Sequence, residues 1–137
     1  MTEFGLAECS DCLCLASRRA ARAITRTFDK QLRPHGIRAT QFTLLAVLAL
    51  KGPQSIGELA DFLGADRTTL TRNLALLEDH SLLKIQPGDD ARSRIVAIVP
   101  RGRSILTKAF PAWRKTQSEI TASIGNPLAD SLRRLAR

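Results

Sequence analysis

The chain has 137 residues, the size of a single domain, and its hydrophobic fraction of 44% is enough for a buried core. Its formal net charge of +8 favours a polyanionic partner, most often nucleic acid. The longest apolar run, residues 44–50, is far shorter than the roughly 20 residues that span a bilayer, and the acidic N-terminus lacks the features of a signal peptide, so we expect a cytoplasmic protein without a membrane partner.

Two helices are predicted in the first third of the chain. Apolar residues recur at helical spacing between residues 11 and 32, and Pro34 and Gly36 end this pattern. A second helix begins at Thr40 and is apolar nearly all round, so it is expected to be buried.

Residues 55–79 have the pattern of a helix, a short turn and a second helix. Ser55 and Glu58 match a capping box, in which each side chain bonds the backbone N–H of the other residue. Gly64 suits a left-handed helix end, and Asp66 suits the N-cap of the next helix. Since the second helix is amphipathic, this segment predicts a helix-turn-helix.

Two short β-branched runs follow, residues 82–85 and 94–99, and the turn-rich residues 87–93 separate them. This pattern predicts a β-hairpin directly behind the helix-turn-helix, which is a wing. Pro100 lies at the start of a further helix, and Asn126 begins a last short one. The predicted fold class is therefore mainly α with a small β-wing, a winged helix-turn-helix lobe with helices at both ends.

The second helix of the motif is predicted to carry its polar residues on the face opposite Leu70, Leu74 and Leu77. Arginine can bind guanine O6 and N7 through two hydrogen bonds, and helix N-termini attract phosphate. In the wing, Arg92 and Arg94 are suited to a minor groove. A solvated helix face is the alternative, but the ordered capping box, turn and wing favour DNA binding. The polar residues of the helix are Arg67, Thr68, Thr69, Thr71 and Arg72.

From about Cys9 to the C-terminus, the chain resembles the MarR family of winged-helix transcription regulators. The resemblance rests on four ordered pieces: LRPHGIRATQFTLLAVL, SIGELADFLGADRTTLTRNLALLE, the wing residues Asp90-Ala91-Arg92, and RIVAIVPRGR. It implies an obligate homodimer that binds a palindromic operator in double-stranded DNA. Residues 1–36 and 101–137 would form the helical dimerisation platform and residues 37–100 the winged lobe, all within one structural domain.

The resemblance also implies roles for individual residues. The five polar residues of the second helix fall on the family's recognition helix, and Arg92 falls on the wing arginine that reaches the minor groove, steadied by Asp90. Arg38 and Thr40 match positions that commonly touch phosphate. Ser81 stands where the family usually has glycine, so a left-handed backbone costs more there.

The function that the resemblance implies is a repressor released by a small-molecule or oxidative signal. The family's effector site lies between the dimerisation helices and the winged lobe, where His35, Phe42 and Trp113 are candidates. Apolar residues at helical spacing are more often core, however, and the residues alone leave activation open as an alternative to repression.

Cys9, Cys12 and Cys14 lie within six residues of one another, an odd and clustered set that is no disulfide scaffold. On a helix Cys12 and Cys14 point about 200° apart, so one chain cannot aim all three at one metal. We therefore expect no metal or other cofactor. Inert cysteines are the leading interpretation, and redox sensing, known from the peroxide-sensing branch of the family, and a shared metal site are the alternatives.

Two other classes of protein, an enzyme and a winged helix that binds proteins, fit the sequence less well. The sequence has no Gly-rich phosphate loop, H-E-x-x-H or nucleophile elbow, so an enzyme is not expected. A winged helix used for protein contacts would not need Arg67, Arg72 and Arg92 exposed together. A stripe of cations on the first helix either adds to the positive field over DNA or is a solvated face, and its members are Arg18, Arg22, Arg26 and Lys30.

Overall fold

The computed structural model describes residues 3–90 and 92–137. Ala91, the middle residue of the predicted wing motif, lies outside the described residues, as do Met1 and Thr2. Two 3₁₀ segments, Glu3–Asp11 and Arg33–His35, flank the first helix. No described helix combines the length and apolarity that crossing a membrane requires. In chain order the elements are α1 (Leu13–Leu32), α2 (Ala39–Lys51), β1 (Gln54–Ser55), α3 (Ile56–Leu63), α4 (Arg67–Asp79), β2 (Leu83–Pro87), β3 (Arg94–Ile98), α5 (Pro100–Ile124) and α6 (Asn126–Leu135).

The helix-turn-helix forms as its caps predict. Ser55 Oγ accepts from the Glu58 N–H at 3.0 Å, and Glu58 Oε1 accepts from the Ser55 N–H at 3.1 Å. Gly64 ends α3 with φ 61°, and Asp66 Oδ2 accepts from the Thr69 N–H at 3.0 Å at the start of α4. The capping box, the glycine end and the aspartate cap are therefore all confirmed.

The wing is a three-stranded antiparallel sheet in the order β1-β3-β2. Its two long strands confirm the predicted hairpin, but β1 was missed because two residues are too short for a periodic pattern. β1 pairs with β3 through Gln54 opposite Val96 and Ser55 opposite Ile95. Pro87 was predicted in the turn and instead ends β2, which tolerates proline because it is an edge strand.

Two helix starts differ slightly from the prediction. α1 begins at Leu13 rather than at residue 11, because the preceding residues form the 3₁₀ segment Glu3–Asp11. α2 begins at Ala39 rather than Thr40, with Arg38 as its extended N-cap residue. Both differences arise at helix starts, where several local geometries satisfy the first N–H groups.

The core lies between α2 and the elements that surround it. The leucine seam of α4 is confirmed, since Leu70, Leu74 and Leu77 are each at most 2% exposed. α2 is buried as predicted and contributes more core residues than any other described helix. Its buried residues are Phe42, Leu44, Leu45, Val47 and Leu48.

An aromatic cluster joins α1, α2 and α5. The ring of Trp113 stacks on Phe42 and on Phe110 with centroids 5.7 Å apart in each case, and on Phe28 at 6.4 Å. Stacked aromatic pairs stabilise beyond the area that they bury. This cluster therefore links the N-terminal helix and the long C-terminal helix to the winged lobe.

The turn after α4 is tightly built. Ser81 has φ 60°, which confirms that a residue other than glycine occupies the left-handed position here. Leu82 follows Ser81, and the buried Gly102 of α5 lies close to it. A Cβ added to Gly102 would be 2.0 Å from the Leu82 carbonyl oxygen. Only glycine permits this approach, so α5 is packed directly against the turn between α4 and β2.

Candidate nucleic-acid interface

The outer face of α4 is polar and open. Arg67, Thr68, Thr71 and Arg72 are all exposed, whereas the leucines behind them are buried. The buried seam fixes the rotation of the helix about its axis. The four polar side chains consequently project away from the lobe, as the sequence predicts.

Thr69 is exposed like the other predicted recognition residues, and it also takes part in the cap of α4. Its hydroxyl donates to Asp66 Oδ2 at 3.2 Å, and the same carboxylate oxygen accepts its backbone N–H. The Thr69 side chain also lines a cavity on the inner side of α4. Thr69 therefore supports the cap and the inner surface of the helix in the free protein.

The wing turn is held by Asp90. Its Oδ1 accepts from the Arg92 N–H at 3.2 Å, and its carbonyl oxygen accepts from both the N–H and the hydroxyl of Ser93 at 3.0 Å. The ion pairs found among the described residues are Lys115–Glu119 and Arg133–Asp130, and neither involves Arg92. Asp90 thus steadies the backbone beneath Arg92 and leaves the guanidinium exposed.

The wing and the recognition helix share one cleft of about 270 Å³. Arg67 from α4 and the wing residues Arg92 and Arg94 line it, together with Ser55 at the start of α3. Three arginines from two separate parts of the chain therefore line the same space, together with one acid, Asp90. This is the strongest concentration of predicted DNA-binding residues in the described structure.

A second pair of predicted residues lies at the start of α2. Arg38 is its N-cap residue and Thr40 lies in its first turn, and both are exposed. The Ala39 N–H donates to Asp29 Oδ1 on α1 at 2.7 Å, a contact that the sequence analysis missed. The residues are ten positions apart, so no local capping pattern points to this bond.

Glu78 ties the recognition helix to the wing. Its carboxylate accepts from the backbone N–H of Ile85 in β2 at 2.6 Å. Since β2 is an edge strand, this N–H has no partner strand on its outer side. Glu78 therefore holds the wing at a set distance from α4, and sequence spacing alone did not reveal it.

Two of the three predicted effector residues, Phe42 and Trp113, belong to the aromatic cluster. Phe42 is 4% exposed and stacks on Trp113 within the aromatic cluster, whereas His35 lies in the 3₁₀ segment Arg33–His35. A cavity of about 450 Å³ lies between α1, α2, α3 and α4, and the three predicted residues are not among those that line it. Its lining is uncharged and consists of Ile24, Thr25, Phe28, Ala39, Thr40, Thr43, Leu44, Leu63, Ala65, Thr69, Leu70 and Asn73.

The three cysteines are exposed at the N-terminal end of the described chain. Cys9 lies in the 3₁₀ segment Glu3–Asp11 and accepts a backbone hydrogen bond from Cys12, while Cys14 lies in α1. Within residues 3–90 and 92–137 no cluster of three or more His, Cys, Asp or Glu side chains is arranged to hold a metal. The cationic stripe on α1 is exposed along its whole length.

Comparison with known proteins decides the family. Residues 35–93 match the family model described as the MarR family. The crystal structure of the Mycobacterium tuberculosis transcriptional regulator MosR in complex with DNA is 40% identical in sequence. It has a TM-score of 0.83, and the match covers 91% of this chain and 93% of that chain. The chain belongs to the MarR family.

Two curated relatives come from Bacillus subtilis. The HTH-type transcriptional regulator YwoH is 25% identical over 104 residues, which are 76% of each chain. The HTH-type transcriptional regulator MhqR is 30% identical over 95 residues, which are 68% of this chain and 65% of that protein. As a MarR-family member, the protein is a DNA-binding transcriptional regulator and not an enzyme.

Proposed function

We propose that the protein is a homodimeric repressor of a palindromic operator, with α4 in the major groove and Arg92 in the minor groove, and that a small-molecule or oxidative signal releases it from DNA. The observation that carries the proposal is the cleft that Arg67, Arg92 and Arg94 share. The arginines of this cleft place positive charge on both the recognition helix, which enters the major groove, and the wing, which enters the minor groove.

Side-chain chemistry indicates which residues contact bases and which contact phosphates. Arg72 and Thr68 project from the exposed face of α4, where arginine can bind a guanine edge through two hydrogen bonds. Arg38 and Thr40 lie at the N-terminal end of α2, whose partial positive charge suits a phosphate. The DNA-bound structure of MosR, which shares 40% of its sequence, supports the same use of the lobe.

Unpartnered apolar surface supports the homodimer. The described protein exposes 9973 Å², whereas a compact monomer of 15.0 kDa exposes about 7,000 Å². Large apolar side chains lie open on both terminal segments, including Leu13 near the start of α1 and Leu128, Leu132 and Leu135 on α6. A stable dimer interface covers about 800 Å² on each partner, which these surfaces can supply.

The uncharged cavity between α1, α2, α3 and α4 supports release by a small molecule. Its volume of about 450 Å³ falls within the usual range for ligand sites. Leu70 and Asn73 of the recognition helix line it, so an occupant contacts the inner face of the element that reads DNA. Phe28 also lines it and stacks on Trp113, so the single tryptophan of the chain reports on this region.

A titration tests the small-molecule signal. Small uncharged aromatic compounds are added while Trp113 fluorescence and operator affinity are followed together. The proposal expects compounds that change both over the same concentration range. Compounds that change the fluorescence and leave DNA affinity unchanged would contradict this route of release.

The exposed positions of Cys9, Cys12 and Cys14 support release by oxidation as the second route. Free thiols are titrated before and after mild peroxide treatment, and DNA binding is measured in parallel. This route expects a loss of thiols together with a loss of DNA affinity. Full DNA binding by protein that has lost its thiols would overturn it.

The main test is DNA binding by fluorescence anisotropy. The duplexes are the region upstream of the protein's own gene and a shuffled duplex of equal composition. We expect tighter binding to the upstream duplex, and Arg72→Ala should lose roughly 1–3 kcal/mol of this discrimination. Arg114→Ala is the matched control, because it removes one exposed arginine from α5 and leaves the lobe intact.

Two results of the DNA-binding test would contradict the proposal. Equal affinity of the wild-type protein for both duplexes at moderate salt would contradict sequence-specific recognition. It would favour nonspecific binding or a winged helix used for protein contacts. Equal losses in Arg72→Ala and Arg114→Ala would contradict the assignment of α4 as the reading element.

A further inference from the structure

We infer that Asp29 is a positioning residue for DNA binding: from α1 it fixes the first turn of α2, and with it Arg38 and Thr40. Asp29 itself is partly buried, and its carboxylate is bonded to the Ala39 N–H. The inference rests on the proposed phosphate contacts of Arg38 and Thr40, and it adds the element that holds them in place.

The N-terminus of α2 lacks an ordinary cap. Its N-cap residue is Arg38, and a guanidinium group has donors only, so it cannot accept the first helical N–H groups. The cap comes from another helix instead, because the Ala39 N–H donates to Asp29 Oδ1 at 2.7 Å. Gln41 Oε1 accepts the Arg38 N–H at 3.0 Å and completes the turn.

Electrostatics strengthens this contact. A carboxylate at a helix N-terminus interacts favourably with the positive end of the helix dipole, and its hydrogen bonds are stronger than those between neutral groups. Arg33 and Arg38 line the same cleft of about 500 Å³ as Asp29. Among the described residues that line this cleft, Asp29 is the one acid, so the turn has no second carboxylate to replace it.

The placement of the bond gives it a role beyond stability. Residues 33–38 connect α1 to α2 and include Gly36. Its φ of 73° lies in the left-handed region, which glycine adopts without a steric cost. The bond from Asp29 to Ala39 closes this connection across ten residues. Without it, the turn that carries Arg38 and Thr40 can shift relative to α1, and the proposed phosphate contacts lose their fixed position.

The test compares three variants in operator binding by anisotropy. Asp29→Ala removes the acceptor, Asp29→Asn keeps an acceptor oxygen without the charge, and Asp61→Ala is the control. Asp61 is exposed on α3 and its side chain makes no hydrogen bond in the described structure. All three remove one negative charge, which alone would tighten DNA binding. We expect Asp29→Ala to bind roughly fivefold more weakly than Asp61→Ala, and Asp29→Asn to lie close to Asp61→Ala.

A double-mutant cycle separates positioning from general damage. In an Arg38→Ala background, the loss caused by Asp29→Ala should shrink, because the contact that it positions is already gone. Sedimentation confirms the assembly state of each variant. Amide hydrogen exchange of Ala39 in the free protein should be faster in Asp29→Ala and near normal in Asp29→Asn.

The outcomes distinguish this inference from the proposed function. If the wild-type protein does not prefer its operator, the proposed function fails, and the Ala39 exchange rates still report whether Asp29 holds the turn. If the wild type binds as proposed, the inference is overturned when Asp29→Ala binds as tightly as Asp61→Ala. An undiminished loss in the Arg38→Ala background would also overturn it.

Discussion

At the end of α4, Ser81 holds a backbone conformation that most residues avoid. Its φ of 60° places it in the left-handed region, where a Cβ atom crowds the neighbouring carbonyl oxygen. The Ser81 N–H donates to the Glu78 carbonyl oxygen at 2.9 Å, so the turn from α4 into β2 requires this geometry. The left-handed backbone of Ser81 therefore lets the chain turn from α4 into β2, so that the wing lies beside α4.

Replacing Ser81 with glycine should stabilise the protein. Relief of the left-handed strain exceeds the extra chain entropy that glycine loses on folding, which leaves a gain of about 0.5–1 kcal/mol. Urea unfolding at a fixed protein concentration measures it, and Ser10→Gly in the 3₁₀ segment Glu3–Asp11 is a control without the strained φ. A less stable Ser81→Gly protein would show that the serine side chain contributes more than its backbone costs.

Among the elements, α3 depends on a short-range polar cap. The backbone N–H of Ser55, and then its side chain, hold the pKa of Glu58 below its ordinary value of 4.5, with a smaller contribution from the charge of Lys51. The carboxylate is therefore bound more favourably in the folded protein than in the unfolded chain. The same capping box also holds Ser55 in β1, so one pair of residues sets the start of α3 and the edge of the wing.

This cap predicts a pH dependence of stability. Because the folded pKa of Glu58 is lowered, its contribution is complete above the unfolded value of 4.5 and is lost as pH falls through the folded pKa. Glu58→Gln keeps an acceptor but cannot titrate. Urea unfolding of both proteins from about pH 6 to about pH 3 should show the advantage of the wild type shrinking with acid. A constant difference across this range would contradict the role of the charged carboxylate.

At the scale of the whole molecule, the terminal segments look incomplete in a single copy. Leu128, Leu132 and Leu135 follow one face of α6 and are 49%, 42% and 83% exposed. Surface of this kind is normally covered by a partner. The spacing of two recognition helices on a palindromic operator would then depend on how these segments pack together.

Replacing Leu132 with glutamate should dissociate the proposed homodimer. A charge in an apolar interface loses the burial of the leucine and adds a desolvation cost, together about 2 kcal/mol or more for each protomer. Sedimentation velocity should show a shift to monomer, and operator affinity should fall with it. The matched control is Leu50→Glu, at a site 86% exposed near the end of α2, which should leave both unchanged. An intact dimer in Leu132→Glu would place the interface elsewhere.

The sequence predicted the α-helices and the two long wing strands, which rest on local chemistry, and it missed the two short 3₁₀ segments. Ser55, Glu58, Gly64 and Asp66 marked the helix-turn-helix because caps and left-handed ends are decided within three or four residues. The leucine period of α4 predicted which side chains point outward, and exposure confirms this for Arg72. The DNA contacts themselves stay predictions.

Only the tertiary structure decided the contacts between residues that are far apart in the chain. The strand β1 exists because β3 lies beside it, Asp29 caps a helix to which it does not belong, and Glu78 bonds the wing strand. The uncharged cavity is likewise formed where residues of four helices, α1 to α4, meet. Local propensity and periodicity carry no information about such partners, because these depend on how packed elements approach one another. The sequence by itself determined the fold class and the outward face of α4 and indicated the family, and packing decided what holds that face in position.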